Sequence, residues 1–208
     1  MPEIRNRFAV ANRIGLGSGR TVAEFLNAAS QSGLINKNAI YYPSSTQIAL
    51  VAQSLGLTLG NLLFIGKLQI VVDGADQLLP DGWFIKGGGG ALFREKLIWQ
   101  LSTAIIILAT EDKVSDTLTV PVPVEVHPIA LQILKKRIKE LKVSDRLRVD
   151  ERGAPIITES GNMIVDLDMK NYNFDKVKII AQRLRGIFGV QEVGLFHNKR
   201  AIIYYPKR

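Results

Sequence analysis

Two nearby stretches concentrate the groups that proton-transfer chemistry needs: Asp73-Gly74-Ala75-Asp76, and Ile85-Lys86-Gly87-Gly88-Gly89-Gly90 running on through Ala91-Leu92-Phe93-Arg94-Glu95-Lys96. Consecutive glycines have nothing to pack and lose more conformational freedom on folding than any other residue, so their use lies in bare backbone N–H groups offered to a ligand. Lys86, just ahead of them, could join those N–H groups in stabilising an oxyanion. Asp73 ends an apolar strand at the edge where open α/β sheets bind ligands, and Asp76 follows one Gly-Ala turn later. Carboxylates this close suit shuttling a proton between neighbouring oxygens, although aspartates also simply cap turns. Glu95 falls in line with Leu92, Ile98 and Trp99 on a helix beginning near Ala91. Desolvation on that apolar stripe would make it a competent base toward a weakly acidic carbon-bound proton, whereas a solvated surface glutamate would not be one.

A second glycine-rich turn, Gly15-Leu16-Gly17-Ser18-Gly19-Arg20-Thr21, lies between a strand and a helix. Such a turn aims amides and the positive end of the helix dipole at an anion, and Ser18, Arg20 and Thr21 add side-chain donors. Arg20 stands at the sixth position, where a dinucleotide fingerprint needs Gly or Ala, and no P-loop lysine is present, so the turn points to a phosphate, with a purely structural turn as the alternative, and not to a nucleotide. Lys113, in Thr110-Glu111-Asp112-Lys113, could reach the same sheet edge. His127, before Pro128, reads as structural, and His197 as a turn residue.

The elements that must hold these groups follow from short apolar runs alternating with helical segments between Phe8 and about Thr110, the pattern of an α/β layer on a mainly parallel sheet. Strands are expected at 14–16, 39–42, 68–72 and 104–109, and helices at 21–31, 45–55 and 91–101. At Val120-Pro-Val-Pro-Val-Glu-Val126 proline alternates with β-branched residues and the rhythm breaks. From there strand 122–126, a basic helix, strands near 147–149 and 163–168, helix 175–185 and a strand around 191–195 give the β-α-β-β-α-β order of a ferredoxin-like α+β domain. A last strand, 201–205, is expected to return to the first sheet. The expected division is a Rossmann-like domain of residues 1–120 and 197–208 and a smaller ferredoxin-like domain of residues 121–196.

Composition narrows the function. A chain of 208 residues can bury roughly 70% of its unfolded surface, so its core needs no staples. It has no cysteine, which excludes disulfides, thiolate nucleophiles and cysteine zinc sites, and two distant histidines do not suggest a metal centre. The net charge of +8 raises the question of nucleic acid. The densest cluster, Lys135, Lys136, Arg137, Lys139 and Lys142, is interleaved with Leu131, Leu134, Ile138 and Leu141 at helical spacing and lacks stacking aromatics, so it reads as a solvated helix face. No apolar run approaches the roughly 20 residues of a membrane helix, and Arg5, Arg7 and Arg13 interrupt any signal-peptide core. A cytoplasmic protein with an anionic small-molecule substrate, no membrane or nucleic-acid partner and no metal is expected.

Taken in order, Gly15 to Thr21, Asp73 to Asp76, Ile85 to Lys96, Glu111 to Lys113, Val122 to Val126, Gly161-Asn162 and Gly194-Leu195-Phe196 resemble the type A ribose 5-phosphate isomerases, over about Arg13 to Tyr205. The resemblance implies metal-free and cofactor-free interconversion of ribose 5-phosphate and ribulose 5-phosphate through an enediolate, in a two-domain fold that forms a homodimer or homotetramer. It implies Glu95 as the base between C1 and C2, Asp73 in ring opening and oxygen-directed proton transfer with Asp76 beside it, and Lys86 with the amides of Gly87, Gly88, Gly89 and Gly90 as enediolate stabilisers. Ser18, Thr21 and Lys113 match phosphate-binding positions, in a loop that also contains Gly17, Gly19 and Arg20. The chain departs from the family pattern at Arg20, in place of a small hydroxyl residue, and at Gln77, in place of an acidic one, and its opening helix is expected to be truncated or absent. A non-catalytic sugar-phosphate sensor of the same fold is the alternative, separable by turnover.

Overall fold

Strands buried on both faces of a parallel sheet must be apolar throughout, and the runs in this chain meet that condition. The computed structural model describes residues 7–205. Its strands and α-helices follow in the order β1 (Arg13–Leu16), α1 (Arg20–Gln31), β2 (Ile40–Pro43), α2 (Thr46–Ser54), β3 (Thr58–Leu59), β4 (Ile70–Gly74), β5 (Gln77–Leu79), β6 (Trp83–Ile85), α3 (Leu92–Gln100) and β7 (Ile105–Leu108). Then come β8 (Val122–Val126), α4 (Leu131–Glu140), β9 (Ser144–Leu147), β10 (Met163–Asp168), α5 (Phe174–Arg185), β11 (Val190–Val193), β12 (Leu195–His197) and β13 (Ile202–Tyr204).

The chain divides into two compact units. One holds the described residues up to Gly74, Arg94–Glu111 and those from Arg200 on; the other holds Ala75–Phe93 and Asp112–Lys199. Residues 75–93, 112–120 and 197–199, grouped by the sequence pattern with the first domain, cluster with the second unit.

The first unit is built on a six-stranded sheet in the order β13-β7-β4-β1-β2-β3, every pair parallel. Its central strands β4 and β7 are buried along their whole length, as apolar runs without alternation require. Helix α1 packs Val22, Leu26 and Ala29 inward at helical spacing, and α2 starts at Ser45, whose hydroxyl accepts the Ile48 N–H. The expected return of the last strand is seen, with β13 pairing β7. Residues 7–10 are helical and Phe8 is buried edge-on against Phe25, so a helical segment does precede β1; the rest of the N-terminal expectation lies outside the described residues.

In the second unit β8-α4-β9-β10-α5-β11 gives an antiparallel sheet in the order β11-β8-β10-β9, the split βαβ arrangement. Alternation sorts β8 by face: Val122, Val124 and Val126 join the core formed by Leu134, Ile138, Val177, Ile180 and Leu184, while Glu125 lies on the opposite face. The basic helix α4 buries Leu134 and Ile138, and Arg137 pairs with Glu140 at its wet side, as a solvated face should. Strand β9 comes three residues earlier than expected because its edge residues Ser144, Asp145 and Arg146 are polar and carry no apolar signal.

A three-stranded antiparallel sheet, β12-β6-β5, was not apparent from the sequence pattern. Its strands are three residues long, but Pro80-Asp81-Gly82 between β5 and β6 is a turn signal, with Asp81 and Gly82 both at positive φ. His197 is the last residue of β12 and stacks on Trp83 with ring centroids 4.3 Å apart, so it is a strand residue and not a turn residue.

Candidate active site

In the first unit, the carboxylate of Glu95 is 2% exposed and accepts a hydrogen bond from the Ser18 hydroxyl at Oε1, 2.7 Å away. The stripe read from sequence is real, since Leu92, Ile98 and Trp99 are buried on the same helix. A glutamate kept from water and held in place by hydrogen bonds is a pre-oriented base. Ser18, expected at a phosphate, thus has its hydroxyl committed to Glu95, 77 residues along the chain.

Asp73 is fully buried at the end of β4, with Oδ1 accepting the Gly74 N–H and Oδ2 accepting the Trp99 indole N–H, both at 2.7 Å. Gly17 explains itself here. A Cβ at that position would overlap the Asp73 carboxylate, and its N–H is already spent on the Val72 carbonyl at 2.8 Å, so Gly17 makes room for Asp73 and its amide does not reach for a ligand. Gly19, at φ 95°, is the N-cap of α1; no side chain caps this helix and no acidic residue sits in its first turn. The positive end of α1, with Thr21 beside it, is thereby left for an anion. Arg20 points away: its side chain is 90% exposed and lies 3.9 Å from Glu24, so it neither crowds the turn nor reaches back to it.

In the second unit, Asp76 accepts the Gly88 N–H at 2.7 Å, and the Gly90 N–H bonds the Gly87 carbonyl at 3.2 Å. Gly87 and Gly90 adopt φ of 105° and 75°, which require glycine. Among the described residues the N–H groups of Gly87 and Gly89 have no protein acceptor, so of the four expected donors these two remain for a ligand. Lys86 is buried and its backbone N–H bonds the Gly194 carbonyl, which ties the start of the bend to the Gly194-Leu195-Phe196 segment. Lys113 donates to the Ala75 carbonyl at 2.7 Å, within the turn that carries Asp76, and two more of its ammonium protons can serve a ligand.

A profile of the family described as ribose 5-phosphate isomerase A (phosphoriboisomerase A) matches residues 40–208. The chain belongs to this family. It is 35% identical to ribose-5-phosphate isomerase A of Prochlorococcus marinus (strain NATL2A) over 89% of this chain and 80% of that one, and 36% identical to that of Archaeoglobus fulgidus over 88% and 82%. Among solved structures, the ribose 5-phosphate isomerase of Plasmodium falciparum superposes with a TM-score of 0.84 at 29% identity, covering 98% of this chain and 91% of that one. A D-ribose-5-phosphate isomerase in complex with phospho-erythronic acid superposes with a TM-score of 0.83 at 30% identity, covering 98% and 94%.

Within this isomerase fold the departure at Gln77 has a physical reason. Its buried amide donates to the Thr117 carbonyl and accepts the Thr119 N–H at 2.9 Å; a carboxylate could accept but not donate. Glu125 was likewise invisible as a site residue. Its buried carboxylate accepts the Phe93 N–H at the start of α3, the Thr158 hydroxyl and the Asn162 amide, which gives the Gly161-Asn162 segment its purpose. The only sequence signal was an acidic residue inside an otherwise apolar strand. Among the described residues no group of three or more His, Asp or Glu is gathered to hold a metal, and no helix is long and apolar enough to cross a membrane.

Proposed function

We propose that this member of the ribose 5-phosphate isomerase A family interconverts ribose 5-phosphate and ribulose 5-phosphate by metal-independent proton transfer. The observation that carries the reading is the buried Glu95 carboxylate, held by Ser18 of the glycine turn. Glu95 removes the proton from C2 of the open-chain aldose, the electron pair forms the C1–C2 enediolate, and the protonated carboxyl, which can trade its proton with solvent, delivers a proton to C1. Asp73, fixed by the Trp99 indole, carries protons between the ring or carbonyl oxygens and the neighbouring hydroxyl. Lys86 and the N–H groups of Gly87 and Gly89 stabilise the negative oxygen of the enediolate, which is where pre-aimed donors contribute most. Asp76 keeps the bend in shape through the Gly88 N–H. The phosphate binds at the N-terminus of α1, with Thr21 and Lys113 as donors.

The chain itself limits how far these groups can separate. Asp73 and Asp76 are three positions apart and Gly90 and Glu95 five, so each pair is tied within about 11 and 18 Å even if fully extended. The related isomerase that holds phospho-erythronic acid supports a phosphorylated sugar acid as a mimic of the enediolate. Exposed Leu63, Phe64, Ile129 and Phe188 support assembly into a homodimer or homotetramer, which light scattering would measure.

The test is a coupled assay of ketose formation from ribose 5-phosphate in excess chelator. Turnover that persists in chelator is expected. Binding without turnover would make the chain a sensor, and loss of turnover on chelation would overturn the metal-independent mechanism.

A further inference from the structure

The face of the four-stranded sheet that carries no helix presents a polar group the mechanism above does not use. Arg148, just past β9, is held by its own backbone, whose N–H bonds the Ile164 carbonyl at 2.8 Å and whose carbonyl accepts the Ile156 N–H at 3.1 Å. Its guanidinium grips both oxygens of Asp166 on β10, with Nε 2.9 Å from Oδ2; the two side chains are only 16% and 8% exposed. The remaining arm is turned to the four-glycine bend, where Nη1 donates to the Gly87 carbonyl at 2.7 Å and to the Gly88 carbonyl at 3.2 Å.

The consequence follows from the planarity of the peptide. In a trans peptide the C=O and the next N–H point in opposite directions, so a donor that fixes one fixes the other. The Gly87–Gly88 peptide is held at both ends, by Arg148 on its carbonyl and Asp76 on its N–H. The Gly88–Gly89 peptide is held only through its carbonyl, and its N–H, that of Gly89, is left pointing away from Arg148. Glycine alone would let this plane rotate freely. A positive charge on the carbonyl also polarises the unit and strengthens the N–H as a donor.

We infer that Arg148, anchored by Asp166, is a positioning residue that aims and polarises the Gly89 N–H for the negative oxygen of the intermediate. The inference rests on the isomerase reading given above. The fork geometry is what matters: lysine keeps the charge but cannot hold Asp166 with two donors while reaching two carbonyls.

The test compares wild type, Arg148→Lys and Arg148→Ala by steady-state kinetics, thermal melting and calorimetric binding of phospho-erythronic acid. Loss of an oxyanion donor costs about 10²–10³ in kcat, and a misdirected donor somewhat less, so Arg148→Lys should lose about tenfold to hundredfold in kcat with KM within about threefold. Arg148→Ala should lose more and regain part of it when guanidinium is added at millimolar concentration, because Asp166 still offers the seat. The sugar acid should bind Arg148→Lys about tenfold more weakly than wild type. A kcat for Arg148→Lys within twofold of an active wild type would overturn the role, as would losses that track only the unfolded fraction in the melts, with no guanidinium rescue. A wild type without turnover would sink the isomerase reading instead, and equal affinities for the sugar acid would then still sink the role of Arg148.

Discussion

Substituting Gly17 with alanine is the sharpest local perturbation the site allows. The added Cβ would overlap Oδ1 and Cγ of Asp73 and sit 2.7 Å from its Cβ, where ordinary contacts begin at 3.4 Å. Asp73 cannot yield cheaply. Its side chain is short, it belongs to a central strand of the sheet, and its two oxygens are held by the Gly74 N–H and the Trp99 indole. Moving the carboxylate sacrifices at least one hydrogen bond to a buried charged group, about 1.5–3 kcal/mol, and moving the strand instead costs about 1–3 kcal/mol of overpacking. Either route predicts about 1–3 kcal/mol of lost stability, a melting temperature lower by about 2–12 °C for a chain of this size. Activity should fall by about 10² or more, because the displaced group is the one assigned to the oxygens. Gly33→Ala is the matched control: Gly33 has φ 69° and nothing within 4 Å of an added Cβ, so it should cost only about 1 kcal/mol and leave kcat alone. Melting curves and coupled assays on both variants decide the matter. Gly17→Ala with a melting temperature and kcat close to those of Gly33→Ala would refute the packing argument.

Two further outcomes follow from single contacts. Trp99→Phe keeps the ring but removes the N–H that reaches Asp73 Oδ2 at 2.7 Å, and steady-state kinetics should show kcat lower by about tenfold to hundredfold with KM little changed. Burial pushes the Tyr41 hydroxyl up to about 12 from 10.0. A folded value above the unfolded one means that this contribution is fully present below about pH 10 and is lost as pH climbs toward about 12. The stability difference between wild type and Tyr41→Phe, followed by denaturant titration, should therefore shift by about 2–3 kcal/mol across that window and stay flat below it.

What the sequence revealed and what it hid divide along one physical line. Periodicity reports which face of an element is buried, so the uninterrupted apolar strands β4 and β7 and the stripe carrying Glu95 were legible, as was the ferredoxin-like order of the second unit. Periodicity does not report which distant group meets that face. Ser18 and Glu95 are separated by 77 residues, Arg148 and Gly87 by 61, and Glu125 and Phe93 by 32, and none of these partnerships leaves a local trace. The glycine motifs were legible as motifs but not in their division of labour. Gly17 clears space for a carboxylate, Gly88 gives its N–H to Asp76, and Gly90 turns the chain back on Gly87. Very short strands such as β5 and β6 escaped because three residues give too little alternation to register, even with a Pro-Asp-Gly turn between them.

The central claim is that Glu95 takes hydrogen from a sugar carbon, and solvent isotope exchange reads that step without depending on net conversion. Ribose 5-phosphate incubated with the enzyme in deuterium oxide and chelator should exchange its carbon-bound hydrogen with solvent in an enzyme-dependent way, seen by proton NMR. Glu95→Gln should still bind phospho-erythronic acid while its exchange slows by about 10²–10⁴ or more. Exchange by Glu95→Gln at close to the wild-type rate would contradict the account, because some other group would then be removing the proton.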